Sequence, residues 1–143
     1  MIREITSDDA ELLAEMHKIC FEDSWSLKSM QETLISNTSF GFLNYQNVAR
    51  GFILCKMVYD EIEILTFCVL QEFRNRGIGK MLLKEIDNYA CVLSVKTIFL
   101  EVAENNLIAK KTYEKSGYEI AYKRNGYYQR TNETALVMRK VLS

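Results

Sequence analysis

Residues 61–70 (EIEILTFCVL) form an apolar, β-branched run that leads directly into a basic turn punctuated by glycine, residues 71–80 (QEFRNRGIGK). A second pattern then begins. Ile78, Met81, Leu82, Ile86 and Tyr89 follow the spacing of one helix face. The sequence therefore predicts strand, tight turn and helix in immediate succession. Such a junction suits an anion. Gly77 and Gly79 let the backbone approach a ligand, the N–H groups of the first helical turn lack intrahelical partners, and the helix dipole favours negative charge there. Arg74, Arg76 and Lys80 add full positive charges around the same point. The turn is neither of the two commoner phosphate loops. Met81 follows Lys80 where a nucleotide-triphosphate loop needs Ser or Thr, and Leu82 stands where a dinucleotide fold needs a third glycine. What remains is Arg-x-x-Gly-x-Gly, Arg74 to Gly79, which is also compatible with an ordinary basic strand–helix turn.

The rest of the chain reads as one α/β domain over residues 1–143, long enough for a substantial core. A formal net charge of −1 supplies no global field to recruit nucleic acid or an anionic membrane. No apolar run approaches a membrane span, and the first ten residues are acidic, unlike a signal peptide, so a cytoplasmic location is expected. Cys20, Cys55, Cys68 and Cys91 lie far apart in apolar runs and read as reduced core residues. With one histidine and no Cys-x-x-Cys pair, no metal site is expected. His17 itself is expected at the surface or its boundary.

In chain order, residues 2–5 alternate as a short strand, and Thr6 with Asp9 makes a capping box. A helix through about Phe21 follows, its stripe being Leu12, Leu13, Met16, Ile19 and Cys20. Ser26 can cap a second helix, with Trp25 as its staple. Residues 39–45 and 48–59 form a hairpin around Gln46 and Asn47. After the strand at 61–70 and a helix to about Ala90 comes a short strand at 97–102. Asn105 or Asn106 caps a further helix that Gly117 ends. Strands at 118–122 and 134–141, separated by a polar loop at 123–133, complete the order β-α-α-β-β-β-α-β-α-β-β: a mixed, mostly antiparallel sheet of about seven strands with about four helices.

Three residues outside the turn invite a chemical reading. Glu101 interrupts an apolar strand, so its carboxylate is paired, hydrated or catalytic unless it simply points to solvent. Tyr113 lies on the apolar side of its helix and is either a core residue or an acid. Asn106 can cap, and a capping amide can also meet a ligand at that helix start.

At these residues a resemblance becomes specific. Arg74–Gly79 resembles the pyrophosphate-binding motif of the GNAT N-acetyltransferase superfamily. Residues 100–118 (LEVAENNLIAKKTYEKSGY) resemble that family's Leu-Glu-Val-x-x-x-Asn-x-x-Ala-x-x-x-Tyr-x-x-x-Gly-Phe motif. Within the family, residues 21–26 (FEDSWS) are similar to the Phe-x-x-Pro-Trp-Ser segment of the bacterial RimI-type subgroup, and residues 124–128 (RNGYY) to its Arg-x-x-Tyr-Tyr. The likeness runs from residue 2 to the C-terminus. Ser24 replaces the usual proline and Thr112 a common leucine; the first departure touches the expected substrate loop, not the cofactor motif.

The resemblance implies a mixed-sheet acetyltransferase fold with acetyl-CoA as co-substrate. It also implies direct attack by an amine, the N-terminal alanine of a small-subunit ribosomal protein, with no direct nucleic-acid or membrane partner. It assigns Glu101 as base and Tyr113 as acid. The backbone of Phe67, Cys68 and Val69 meets the pantetheine arm, with the Val69 N–H as donor to the developing oxyanion. Arg74, Asn75, Arg76, Gly77, Ile78, Gly79 and Lys80 meet the pyrophosphate, and Asn106 also meets the cofactor. Trp25, Arg124, Tyr127 and Tyr128 meet the peptide. Freeing an α-amine of pKa ~7.7–8.0 costs under about 1 kcal/mol near neutral pH, against about 4 for a lysine at ~10.4, so one carboxylate suffices for the former. A lysine, polyamine or small-molecule acceptor, and a non-catalytic acyl-CoA-binding module, are the competing expectations.

Overall fold

The computed structural model describes the backbone of residues 1–128 and 133–142 and the side chains of residues 1–125 and 134–142. The elements are β1 (Ile2–Glu4), α1 (Ala10–Cys20), α2 (Leu27–Ile35), β2 (Ser39–Gln46), β3 (Val48–Val58), β4 (Glu61–Val69), α3 (Ile78–Val92), β5 (Thr97–Ala103), α4 (Leu107–Lys115), β6 (Glu119–Tyr128) and β7 (Glu133–Val141). Single 3₁₀ turns at Ser7–Asp9 and Gln71–Phe73 lead towards α1 and α3. The seven strands form one sheet in the order β1-β2-β3-β4-β5-β7-β6. Every neighbouring pair is antiparallel except β4 and β5.

Helices cover both faces, because the central strands alternate. On β3, Ile53 and Cys55 face the cluster built with Leu82, Leu83 and Ile86 of α3, whereas Phe52 and Leu54 face Leu13 and Met16 of α1 and Met30 of α2. One feature of β4 breaks this alternation. The register passes from Cys55↔Ile64 to Leu54↔Thr66, leaving Leu65 as a bulge. Before it, Ile62 and Ile64 join the α3 cluster; beyond it, Cys68 joins the α1 cluster while Phe67 and Val69 pack on the α3 side. The bulge has exchanged the two faces of the strand.

Several sequence expectations are corrected. On α1 the inward residues are Ala10, Leu13, Met16 and His17, while Leu12 and Ile19 are exposed. His17 is not at the boundary: it is 3% exposed. On α3, Leu83 and Ala90 are buried and Met81 is exposed. In both helices the hydrophobic stripe is displaced by about one residue, because the face is chosen by the sheet beneath, not by the apolar residues alone. Residues 123–128 are not loop but the continuation of β6, which pairs with β7 in a register interrupted between Arg124 and Tyr128. The cysteines are not four reduced core residues. Cys20 and Cys68, 48 positions apart, form a disulfide that joins the end of α1 to β4. Cys55 is free and buried, and Cys91 is free and exposed.

The Thr6–Asp9 capping box is present, and Asp9 also receives both guanidinium ends of Arg3 at 2.8 and 2.9 Å. That bonding holds the Asp9 carboxyl below its ordinary value near 3.8. A lowered folded-state value means that its stabilisation is complete above about 3.8 and is lost as pH falls through the folded-state value. Asp9→Asn is therefore expected to lower the urea midpoint at pH 7 and to flatten its decline in acid. A wild-type acid decline retained in the variant would remove Asp9 from this role.

Candidate active site

β4 and β5 touch through only two parallel pairs, Ile62↔Ile98 and Glu63↔Phe99. Beyond them the Leu65 bulge turns β4 aside, and residues 64–69 and 100–103 run apart. The edge of β4 along this gap is open. The N–H of Leu70 goes to the Arg50 carbonyl on the β3 side at 2.9 Å. Alternation along the strand therefore turns the N–H and C=O groups of Val69 and Phe67 away from β3 and into the gap. Those of Cys68 turn back to the ladder, so Cys68 reaches the site only as a wall.

A cavity of about 540 Å³ occupies the mouth of the gap, lined by Phe67, Cys68, Val69, Arg74, Asn75, Gly77, Ile78, Gly79, Lys80, Asn106 and Tyr113 among others. Its polar end is the start of α3. Asn75 (φ 64°) and Gly77 (φ 79°) are both left-handed and curl the backbone tightly around Arg76. Gly77 is the N-cap residue, no side chain caps the helix, and the bond from Met81 N–H to Gly77 O is 3.0 Å. The N–H groups of Ile78, Gly79 and Lys80 are thus the outward-facing donors of the helix start. A Cβ built on Gly77 would meet nothing within 4 Å, whereas one on Gly79 would sit 3.1 Å from the ring of Phe67. Glycine at 77 answers to backbone conformation, and at 79 to the close packing of helix on strand. Arg74 Nε donates to Val69 O at 2.9 Å, fastening the turn to the strand end. Arg76 does not line the cavity; its guanidinium lies 5.6 Å from the centre of the Phe73 ring.

Asn106, not Asn105, caps α4, its Oδ1 accepting the Ala109 N–H at 3.2 Å. Its amide NH₂ remains a donor at the cavity wall. Tyr113, 8% exposed, stands between Phe67 and Tyr118 with both ring centroids at 5.9 Å. It is a core residue and a cavity residue at once.

Glu101 belongs to the other side of the gap. Ile98, Leu100 and Val102 face α3 and α4, so Phe99 and Glu101 face the opposite way. Glu101 stands two residues beyond the last β4–β5 pair and lines a second cavity, of about 240 Å³, with Glu61, Glu63, Tyr122 and Arg124. Its Oε1 is 2.9 Å from Arg124 Nη1, so the carboxylate is paired as well as placed. Lys123 likewise pairs with Glu104 at 3.0 Å.

Trp25 lies in neither cavity. It opens a separate cleft beside Glu11, Glu15 and Lys18, and its ring centroid is 5.3 Å from that of His17. The side chains of Tyr127 and Tyr128 lie outside the described residues. Sequence reasoning missed Cys20, Phe21, Phe73, Ile108, Ala109 and Thr112 as cavity residues. On α4 the helical spacing of 109, 112 and 113 was the available signal; Cys20 and Phe21 arrive only through the packing of α1 on β4. Among the described residues there is no group of His, Cys, Asp and Glu able to hold a metal ion, and no helix long and apolar enough to cross a membrane.

A split sheet with an uncapped, glycine-turned helix at one end of the gap defines a class. Residues 10–118 match the model of the acetyltransferase (GNAT) family. The chain belongs to that family and is an N-acetyltransferase. Among curated relatives, the [ribosomal protein bS18]-alanine N-acetyltransferase of Haemophilus influenzae is 31% identical, with 96% of each chain covered. The same-named protein of Escherichia coli is 30% identical over 76% of this chain and 77% of its own length. In fold, the chain matches the crystal structure of the Escherichia coli ribosomal-protein-S18-alanine N-acetyltransferase with a TM-score of 0.93 at 24% identity, covering 100% of this chain and 94% of that one. It also matches Arabidopsis thaliana NAA60 in complex with acetyl-CoA, with a TM-score of 0.88 at 19% identity and 99% of both chains covered.

Proposed function

We propose that this N-acetyltransferase uses acetyl-CoA to acetylate the N-terminal alanine of a small-subunit ribosomal protein. The observation that carries the reading is the parting of β4 from β5 after two residue pairs. It leaves an open strand edge between a cavity that ends in an anion-binding helix start and a second cavity that contains a carboxylate. Two relatives that match 96% of the chain, both named [ribosomal protein bS18]-alanine N-acetyltransferase, support that substrate.

The residues present suit the cofactor. The start of α3, with Arg74 and Lys80, would hold the diphosphate; the main-chain groups of Phe67 and Val69 would hold the pantetheine arm as an added strand would. Asn106 would donate to it from α4. When bound, acetyl-CoA supplies an acyl thioester already activated for transfer. Glu101 takes the proton of the incoming amine, directly or through a water, from the opposite side of the gap. Reaching Glu101 requires the amine to displace Arg124 from the carboxylate, which couples acceptor binding to release of the base. The Val69 N–H stabilises charge on the acyl oxygen, and the Tyr113 hydroxyl protonates the departing thiolate. With reference pKa values of ~10 for tyrosine and ~8.5 for a thiol, that transfer is uphill by about 2 kcal/mol.

Mass spectrometry of a small-subunit ribosomal protein that begins with alanine, incubated with enzyme and acetyl-CoA, is expected to show a gain of one acetyl group on the α-amine. A panel of lysine peptides and polyamines is expected to react far more slowly. Preferential acetylation of any of these overturns the substrate assignment, and absence of thiol release with every amine overturns catalysis. Tyr113→Phe is expected to lower kcat about 10- to 100-fold with unchanged acetyl-CoA affinity. A full-speed variant returns Tyr113 to the core alone.

A further inference from the structure

β4 gives up its partner β5 exactly where the proposed cofactor edge begins, so something else must fix its position. On its far face that task falls to the last turn of α1. His17 and Cys20, three residues apart on the helix, meet Thr66 and Cys68, two apart on the strand. Both spacings select a single face of their element. His17 is the more informative contact because its ring is bonded at both ends. Nδ1 lies 3.1 Å from the backbone N of Trp25, whose N–H can only donate, so Nδ1 must be the acceptor and carries no proton. The ring proton therefore sits on Nε2, which donates to Thr66 Oγ1 at 3.0 Å. Phe21 and Trp25 flank the ring, with centroids at 4.4 and 5.3 Å. Thr66 is itself buried, immediately before Phe67.

We infer that His17 is a positioning residue for acetyl transfer: a two-ended clamp that ties the Phe21–Trp25 segment, whose Phe21 lines the 540 Å³ cavity, to the far face of β4 at Thr66, and with it sets the acceptor's approach relative to the thioester. This rests on the peptide-acetyltransferase reading above. The side chain is 3% exposed and does not line the 540 Å³ cavity, so it acts through the groups it holds. An imidazole suits the task, because a rigid neutral ring offers an acceptor and a donor in different directions. The two ends can be cut separately. Asn at 17 places an amide oxygen near the position of Nδ1 and loses the Thr66 bond; Gln reaches towards Thr66 and loses the Trp25 bond; Phe loses both while keeping the ring.

The test uses the full chain, acetyl-CoA and a synthetic peptide beginning with alanine, together with the fluorescence of Trp25, the single tryptophan. His17→Gln and His17→Phe are expected to shift Trp25 emission to the red and to raise the peptide KM about tenfold or more. His17→Asn is expected to keep both near wild type and instead to raise the acetyl-CoA KM several-fold. Thr66→Val, which cuts only the strand end, is expected to behave like His17→Asn. Wild-type emission and KM values in folded His17→Gln and Thr66→Val would overturn the clamp, as would losses that do not separate between the two substrates. If the wild-type enzyme leaves the peptide unmodified, the substrate reading fails. The emission arm still decides the clamp, because unchanged Trp25 emission in His17→Gln overturns it without any turnover.

Discussion

Glu101→Gln is expected to lower kcat by at least about 100-fold while leaving coenzyme A affinity within twofold, the range in which general-base catalysis operates. The substitution conserves shape and removes the ability to accept a proton. It also removes the charge that Arg124 pairs with at 2.9 Å. Both partners are partly exposed, with side-chain accessibilities of 42% for Arg124 and 29% for Glu101, so that pairing contributes no more than about 1 kcal/mol and the variant should fold. Steady-state thiol release with an alanine peptide measures the first quantity, and calorimetric titration with coenzyme A the second. The two are predicted to separate because Glu101 and the anion-binding turn stand on different sides of the β4–β5 gap. Undiminished turnover would exclude Glu101 as the base. A parallel loss of coenzyme A affinity would mean that the two cavities do not work independently.

Gly77→Asp is expected to weaken coenzyme A binding by about 100-fold or more, with little loss of thermal stability. Two charge-assisted hydrogen bonds at about 1.5–3 kcal/mol each account for a change of that size. The variant tests charge more than bulk, since a Cβ at this position meets nothing within 4 Å. The left-handed φ of 79° costs a non-glycine residue about 1–2 kcal/mol. A carboxylate at the start of α3, where no side chain now caps the helix, recovers part of that. The same carboxylate then occupies and repels the site of the diphosphate. Gly77→Asn is the control. Asn tolerates the left-handed region and carries no charge, so it should lose far less affinity. Equal losses in the two variants would shift the explanation from charge to backbone geometry, and unchanged affinity in both would place the diphosphate elsewhere.

Burial of His17 pushes its pKa below the ordinary 6.5. Its contribution to stability is therefore whole above 6.5 and declines as pH falls from there towards the folded-state value, because the unfolded chain takes up the proton first.

Local chemistry was legible from the residues themselves. The run ending at Leu70, the glycines at 77 and 79 and the periodicity of 78–89 sufficed to predict the strand–turn–helix junction, the strand itself ending one residue earlier at Val69. Thr6 with Asp9, Ser26, Asn106 and Gly117 marked element ends that the fold keeps. These signals are legible because capping, left-handed turns and helical spacing act over a few residues. Neighbours such as Leu12, Met81 and Lys123 were misplaced. Their faces and states depend on which surface packs against them, and pattern alone locates a helix better than it fixes the helix's rotation.

Sequence by itself therefore determined the order of elements, the glycine turn and the presence of one carboxylate in an apolar strand. Tertiary structure decided the rest: the bulge at Leu65 that reverses the faces of β4, the gap that places Glu101 and Tyr113 on opposite sides, the Cys20–Cys68 bond and the burial of His17 between Thr66 and Trp25. The physical reason is separation along the chain. Caps and turns act over three or four positions, whereas His17 and Thr66 are 49 apart and meet only because α1 packs across the sheet.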